Sequence, residues 1–525
     1  MLSLVTRDAY GLFLLGFAVI FVSYKFCRRR RGPNPQGLPF PPGPRPLPLV
    51  GNLFDLARVD EVEAYLRLYH KYGDLVFFNA LGKKILFVNT FQAANDLFEK
   101  RSANYSDRNH SPMLHELMGW DWTFGHMPYG ERWKAHRRMF HRQFQQSVAH
   151  IHWPVQRKEA HSLMRRLLDS PDNLMEHLRH NAASVIMNVT YGIKIVPKND
   201  RYITIAEKAL AGMAEAANPG AFLVDLIPFL KHIPEWVPGA GFQRKAREWK
   251  DAVYEMRDAP FEAVTAAIKE GTASPSFVSN LVSELEAGSK DSLEKNIELV
   301  KACAGMAYAG GTESTLSALS SFVLAVILHP EVQAKGREEL DRVLGHSRLP
   351  DFPDWASLPY VSAIVKEVLR WSPVAPLGLP HMATNDDEYR GCFIPAGTTI
   401  VGNTWAILHD PITFPDPSVF NPDRFLSANQ QNDLSPLDPL SVAFGYGRRI
   451  CPGRYMAEAQ LWISIACMLA LFDIGCGVDE MGRPMPKPEM NFTSGLIRHP
   501  MPFKFSIRPR GEWARTLLEQ AMDGD

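Results

Sequence analysis

The sequence has no excess charge of either sign and no clustered cysteine, and each deficit excludes something. Its 57 Lys and Arg balance 57 Asp and Glu, so no global field favours a polyanion, and nucleic acid is not an expected partner. The six cysteines stand apart at 27, 303, 392, 451, 467 and 476, with no C-x-x-C pair. That spacing argues against a zinc site or a disulfide scaffold and fits a reducing compartment. His115-Glu116 is followed by Gly119 where a zinc-protease helix would place a second histidine. Gly445-x-Gly447 lacks the third glycine of a dinucleotide fingerprint, Ile450 standing in its place. What remains is 46% hydrophobic with 36 Gly and 40 Pro, the make-up of a large folded enzyme.

What is present begins with an apolar run at residues 9–27, AYGLFLLGFAVIFVSYKFC, followed directly by Arg28 to Arg31. At helical rise the run comes close to spanning a bilayer's hydrocarbon core. A secretory signal carries its charge before the apolar run, whereas here most of it follows, and no cleavage site is evident. The positive-inside rule then puts the remainder on the cytosolic side. Leu38 to Pro48, LPFPPGPRPLP, cannot continue a helix and reads as a stiff spacer. The expected organisation is a short lumenal N-terminus (1–8), a transmembrane signal anchor (9–27), a basic and proline-rich hinge (28–50) and one catalytic domain (51–525).

The chemistry concentrates at Phe444-Gly445-Tyr446-Gly447-Arg448-Arg449-Ile450-Cys451-Pro452-Gly453. A thiolate that holds a metal needs a backbone bent so that N–H groups face the sulfur, which Gly447 and Gly453 permit. Arg449 can pair a cofactor carboxylate bidentately. Upstream, the run from about Glu294 to Leu328 is apolar and free of proline until Pro330, with Gly310-Gly311 in its middle. Two glycines cost about 1 kcal/mol each against alanine in a helix interior, which points to a close approach by a ligand. Glu313, Ser314 and Thr315 follow at once. Trp133 and Arg137 share one face of a basic helical run ending near Phe144. Glu367 and Arg370 share another face, and Pro422-Asp423-Arg424-Phe425 follows downstream. Phe222 to Val237, broken by Pro228 and Pro234, fits either ordinary core or an exposed apolar surface that dips into a membrane.

The decapeptide ending at Gly453 resembles the haem-ligating signature of the cytochromes P450 at every fixed position. The other motifs occur in that family's order over essentially the whole chain. Phrases such as Glu116-Leu117-Met118-Gly119-Trp120 look most like microsomal, fungal members related to O-methylsterigmatocystin oxidoreductase. The resemblance implies a mainly α fold with small β-sheets, preceded by a single N-terminal transmembrane helix in the endoplasmic reticulum membrane. It implies haem b with Cys451 as axial thiolate, and cofactor contacts from Trp133, Arg137, His381 and Arg449. Glu313 would be the acid and Ser314 the hydroxyl that deliver protons to bound oxygen. The usual residue at 314 is threonine, so this chain departs from the pattern, and Thr315 could compensate. Glu367, Arg370 and Arg424 resemble the family's Glu–Arg–Arg network. The implied activity is monooxygenation of a small apolar molecule with O2, in secondary metabolism (a terpenoid or polyketide) or over a broad xenobiotic range. Electrons would come from a separate membrane-bound NADPH–cytochrome P450 reductase, with cytochrome b5 as a second donor. Two other classes share the haem-thiolate motif, an isomerase or dehydratase and a non-catalytic haem sensor; the Glu313-Ser314 segment argues against both.

Overall fold

The computed structural model describes residues 34, 36–57, 62–217, 221–287, 293–426, 437–479 and 481–523. The expected anchor at 9–27 and the basic start of the hinge lie outside these residues. Helices dominate, and the six that build the site are α1 (Glu131–Phe144), α2 (Trp153–Asp169), α3 (Leu174–Tyr191), α4 (Leu293–Leu328), α5 (Pro359–Trp371) and α6 (Arg454–Leu471).

The long helix α4 is apolar on all sides, as a helix surrounded by protein must be. It is long and apolar enough to cross a membrane, yet its most apolar stretch is 78% buried inside the fold. It therefore serves as the central strut. Its C-terminal half packs with α2, α5 and α6 in one large apolar cluster, and its N-terminal half joins a second cluster with α3 and residues 113–144. Pro330 opens the next helix directly after α4, and Pro359 opens α5; proline at a first helical position gives up no hydrogen bond.

The strands are few and short. Strands β1 (Leu75–Ala80) and β2 (Lys83–Val88) form a hairpin; β3 (His381–Met382), β4 (Asp387–Tyr389), β5 (Cys392–Ile394) and β6 (Thr399–Gly402) come after α5, and β7 (Phe472–Cys476) pairs with β8 (Phe505–Pro509). One four-stranded sheet has the order β1-β2-β6-β3, with β2 and β6 parallel and the other pairings antiparallel. The segment 374–381 turns at Gly378 (φ 56°) and joins the sheet only at His381, which pairs with Ile400.

The Glu–Arg–Arg network forms as the sequence implied. Arg370 Nε and Nη2 donate to the two Glu367 oxygens at 2.7 and 2.8 Å, and both side chains are wholly buried. Arg424 Nε approaches the same carboxylate at 3.4 Å, and Asn421 N–H donates to it at 2.7 Å. Arg370 further donates to the Leu408 carbonyl at 3.0 Å. Four donors therefore converge on one carboxylate, tying α5 to the loop before the cysteine segment. Asp423 lies outside the network and pairs with Lys335 at 2.6 Å.

Candidate haem-binding site

The cysteine loop is held by two left-handed glycines, Gly445 (φ 81°) and Gly447 (φ 54°). At Gly447 a Cβ would stand 2.2 Å from the Phe98 carbonyl oxygen, so no other residue fits, and its N–H donates to Glu99 Oε1 at 2.6 Å. Gly453 has an ordinary φ of −90°. Its N–H is directed at the Cys451 sulfur, as expected, though it needs no left-handed backbone to do so. Cys451 N–H donates to the Phe444 carbonyl at 2.8 Å, which closes the loop. Burial pushes the Cys451 thiol up, against the Gly453 N–H and the charges of Arg137 and Arg454. A metal that takes the sulfur's proton reverses that balance.

Beside the loop lies a group of cations without anions. Arg449 is buried and donates to three backbone carbonyls, Ser106 (2.7 Å), Phe124 (3.2 Å) and Met127 (2.7 Å). Its guanidinium lies 4.5 Å from the Trp133 ring centroid, so Trp133 faces the arginine of the cysteine loop. Arg137 Nη1 donates to the Ile450 carbonyl at 2.6 Å. Arg108, which the sequence reading missed, is buried as deeply and donates to the carbonyls of Gly125 (3.1 Å), Pro380 (2.6 Å) and Leu379. Burial lowers all three arginines, Arg449 to about 10; a neighbouring arginine adds to this at each (Arg449 at Arg108, Arg454 at Arg137, Arg137 at Arg449), and the Asp107 charge only partly opposes it at Arg108 and Arg449. Among the described residues none of the three has a carboxylate at ion-pair distance. Burying unpaired cations is costly, so the cluster calls for an anionic group that the chain does not provide.

His381 completes the cluster. Its Nδ1 stands 2.7 Å from the Tyr105 carbonyl; a carbonyl only accepts, so Nδ1 carries the proton and Nε2 is the other ring nitrogen. Burial and the charges of Arg108 and Arg449 hold its pKa well below the usual value. An anion at Nε2 would offset both effects.

On the opposite side, the two glycines of α4 divide the work assigned to them jointly. A Cβ at Gly311 would meet Ile186 of α3 at 2.8 Å, so Gly311 is there for helix packing. Gly310 is exposed in the midst of a buried helix, and a Cβ there would meet nothing within 4 Å. Ser314 Oγ donates to the Gly310 carbonyl at 2.7 Å, and Glu313 turns to His499, Oε2 to Nε2 3.3 Å. Trp122, Phe124 and Ala307 are buried nearby; Trp122 packs on Gly305, and Gly125 abuts Met306.

We expect Gly311→Ala to lower stability by about 1–3 kcal/mol through overpacking. Gly310→Ala, with open space and a better helix former, should raise it by up to about 1 kcal/mol while weakening ligand binding at the iron. Thermal unfolding and imidazole titration of the two variants separate these effects.

A thiol facing one backbone N–H and two guanidinium charges, a cation cluster without ion-paired carboxylates and an open helix face are features that suit a haem-thiolate site. Comparisons with known proteins agree. A family model described as Cytochrome P450 matches residues 41–507, and the chain belongs to that family. It is 43% identical to a cytochrome P450 monooxygenase of Armillaria gallica over 98% of this chain and 99% of that one. It is 45% identical to cytochrome P450 monooxygenase 98 of Postia placenta over 92% of each. Tryptamine 4-monooxygenase of Psilocybe cyanescens is 39% identical over 95% of this chain and 96% of that protein. The protein is a cytochrome P450 monooxygenase, and the family's cofactor is haem with an axial cysteine thiolate.

Proposed function

We propose that the protein is a membrane-anchored monooxygenase of fungal secondary metabolism. It would take electrons from a separate NADPH reductase and oxidise a small apolar metabolite of terpenoid or polyketide type. The observation that carries the electron-supply part is a groove of about 530 Å³ with Cys451 on its wall, lined also by Arg137, His141, Ile450, Arg454 and Tyr455. Arg138, Arg142 and Arg448 are exposed nearby in sequence. Lys134 shares its charge with Glu131 at 2.8 Å, which makes it the weakest member of the basic set.

Bound haem supplies the oxygen-activating chemistry, and the chain's residues hold and direct it. Arg108, Arg137 and Arg449, with His381 and Trp133, are the groups that would hold the two haem carboxylates, and Cys451 the iron. Ser314 keeps its proton on the Gly310 carbonyl; passing it on requires rotation about χ1, which serine makes more easily than threonine. Glu313 is the carboxyl that would restore it. Trp122, Phe124, Met306 and Ala307 offer an apolar wall that excludes water and selects an apolar substrate. Leu223, Ile227, Phe229 and Trp236 are exposed, Trp236 by 82%, which supports the membrane-dipping reading of residues 222–237.

The test uses the full chain with reductase and NADPH. Reduction is followed as the carbon monoxide complex forms, and substrate entry as the Soret spin-state shift with a sesquiterpene. The Arg138→Glu/Arg142→Glu protein should be reduced about 10-fold more slowly at low salt, the low end for electrostatic steering, and the wild-type rate should fall as salt rises. Equal rates for the two proteins, or a spin-state shift given only by polar ligands, would contradict the proposal.

A further inference from the structure

Glu313 has one ion-pair partner among the described residues, His499, with Nε2 at 3.3 Å from Oε2 and both side chains about one-fifth exposed. His499 lies between β7 and β8, in a hairpin closed by an antiparallel bridge of Phe492 with Pro500, and that hairpin is registered on α4 by two successive rungs. Ser317, one turn beyond Glu313, donates through Oγ to the Arg498 carbonyl, and the next residue, His499, meets Glu313. The His499 backbone is fixed on both sides by Thr493, whose Oγ1 accepts the His499 N–H at 3.0 Å and whose N–H donates to the His499 carbonyl at 2.8 Å. Arg498 N–H donates to the Val374 carbonyl at 2.9 Å, tying the hairpin to the chain just before His381. The Arg498 guanidinium lies over Trp405 and Phe492, 4.1 and 4.0 Å from their centroids.

The identity of the partner matters. A carboxyl that gives up and regains a proton is poorly served by arginine, whose permanent charge holds it ionised. An imidazole can be charged or neutral near neutral pH and can refill a proton. We infer that His499 is a positioning residue for proton delivery: its Nε2 holds the Glu313 carboxyl in place on α4 and returns the proton that Glu313 passes on. The inference rests on the proposed role of Glu313.

The test needs no organic substrate. In reductase-supported NADPH oxidation, O2 that takes two electrons and two protons leaves as hydrogen peroxide, one NADPH per O2. O2 that takes four of each leaves as two waters, two NADPH per O2. Loss of proton delivery therefore drives the NADPH-to-O2 ratio toward one. His499→Phe should at least double the peroxide share, and His499→Gln, which keeps an N–H donor to hold Glu313 but has no proton to return, should reverse only part of that rise. Glu313→Gln should behave like His499→Phe, and the double variant no worse than Glu313→Gln alone. His499→Asn, too short to reach, serves if the phenylalanine variant does not assemble. As a readout apart from turnover, the Glu313 carboxyl band in the infrared difference spectrum on photolysis of the carbon monoxide complex should shift in His499→Phe and return in His499→Gln. An unchanged peroxide share in a His499→Phe or His499→Asn protein with an intact carbon monoxide band overturns the inference. So does a double variant worse than Glu313→Gln, because the two residues would then act separately. If Glu313→Gln leaves the share unchanged while His499→Phe raises it, the proposed role of Glu313 fails instead.

Discussion

Cys451→Ala will lose the red-shifted Soret band of the reduced carbon monoxide complex and, with it, all reductase-supported turnover. Among the described residues the other cysteines stand on other elements: Cys303 on α4, Cys392 on β5, Cys467 on α6 and Cys476 on β7. Cys303 and Cys467 are fully buried, Cys303 against the His136 carbonyl, with burial pushing its thiol far up. The loop should keep its shape in the variant, because what shapes it is the backbone: two left-handed glycines, the Cys451 N–H on Phe444 and the Gly447 N–H on Glu99. The Cys451 side chain belongs to none of the apolar clusters, so its truncation leaves no core cavity of the kind that destabilises. The variant should therefore fold, and the cation cluster should still hold some haem, giving a band only at the shorter wavelength. Cys467→Ala is the control: it removes a core sulfur at some cost in stability and leaves the red-shifted band in place. A red-shifted band in Cys451→Ala would remove the sulfur from the iron and the site with it.

Removing Glu367 will have the largest effect on stability. In Glu367→Ala the buried Arg370 keeps only carbonyl partners, and Arg424 and the Asn421 N–H lose their shared acceptor. Breaking a buried ion pair from one side costs about 3–5 kcal/mol, a large fraction of the net stability of a folded domain. The variant should accumulate mostly without haem, measured as the ratio of carbon monoxide-binding to total protein and as a lowered unfolding temperature. Replacing the pair together, Glu367→Leu with Arg370→Leu, removes the unpaired charge and should recover part of the loss. Recovery will be incomplete, because Asn421 N–H and the Leu408 carbonyl remain without the partners they had. A Glu367→Ala protein as stable as wild type would show that Arg370 finds other compensation.

Features carried by local patterns were legible from the residues. The cysteine loop, the Trp133–Arg137 spacing, the Glu367–Arg370 spacing and the apolar run of α4 each express a constraint within about one turn or one loop, and the fold class was implied by the family resemblance these motifs carry. What was illegible depends on pairing between distant segments. Arg108 stands in Ser106-Asp107-Arg108-Asn109, with no periodicity and no motif, and only the tertiary fold brings it beside Arg449. The difference between Gly310 and Gly311 depends on which way each faces, and it became visible only with Ile186 in place. His499 beside Arg498 and Pro500 looks like ordinary loop composition until the hairpin is laid on α4. At Gly453 the N–H toward the sulfur was legible, but its ordinary φ was not, because sequence shows that a residue has no side chain and leaves its φ open.

The groove at Cys451 also has a kinetic consequence. Its wall reaches the sulfur from the side of α1 and the start of α6, whereas the open face of Gly310 and the wall of Trp122 and Met306 lie along α4. On the proposed function, electron donor and organic substrate would have separate doors. In steady-state terms neither should exclude the other: saturating reductase should leave the apparent affinity for substrate unchanged, and a bulky inhibitor in the apolar chamber should lower the maximal rate at every reductase concentration without competing for the donor. With its two supplies arriving from different directions, the enzyme can be throttled from either side independently.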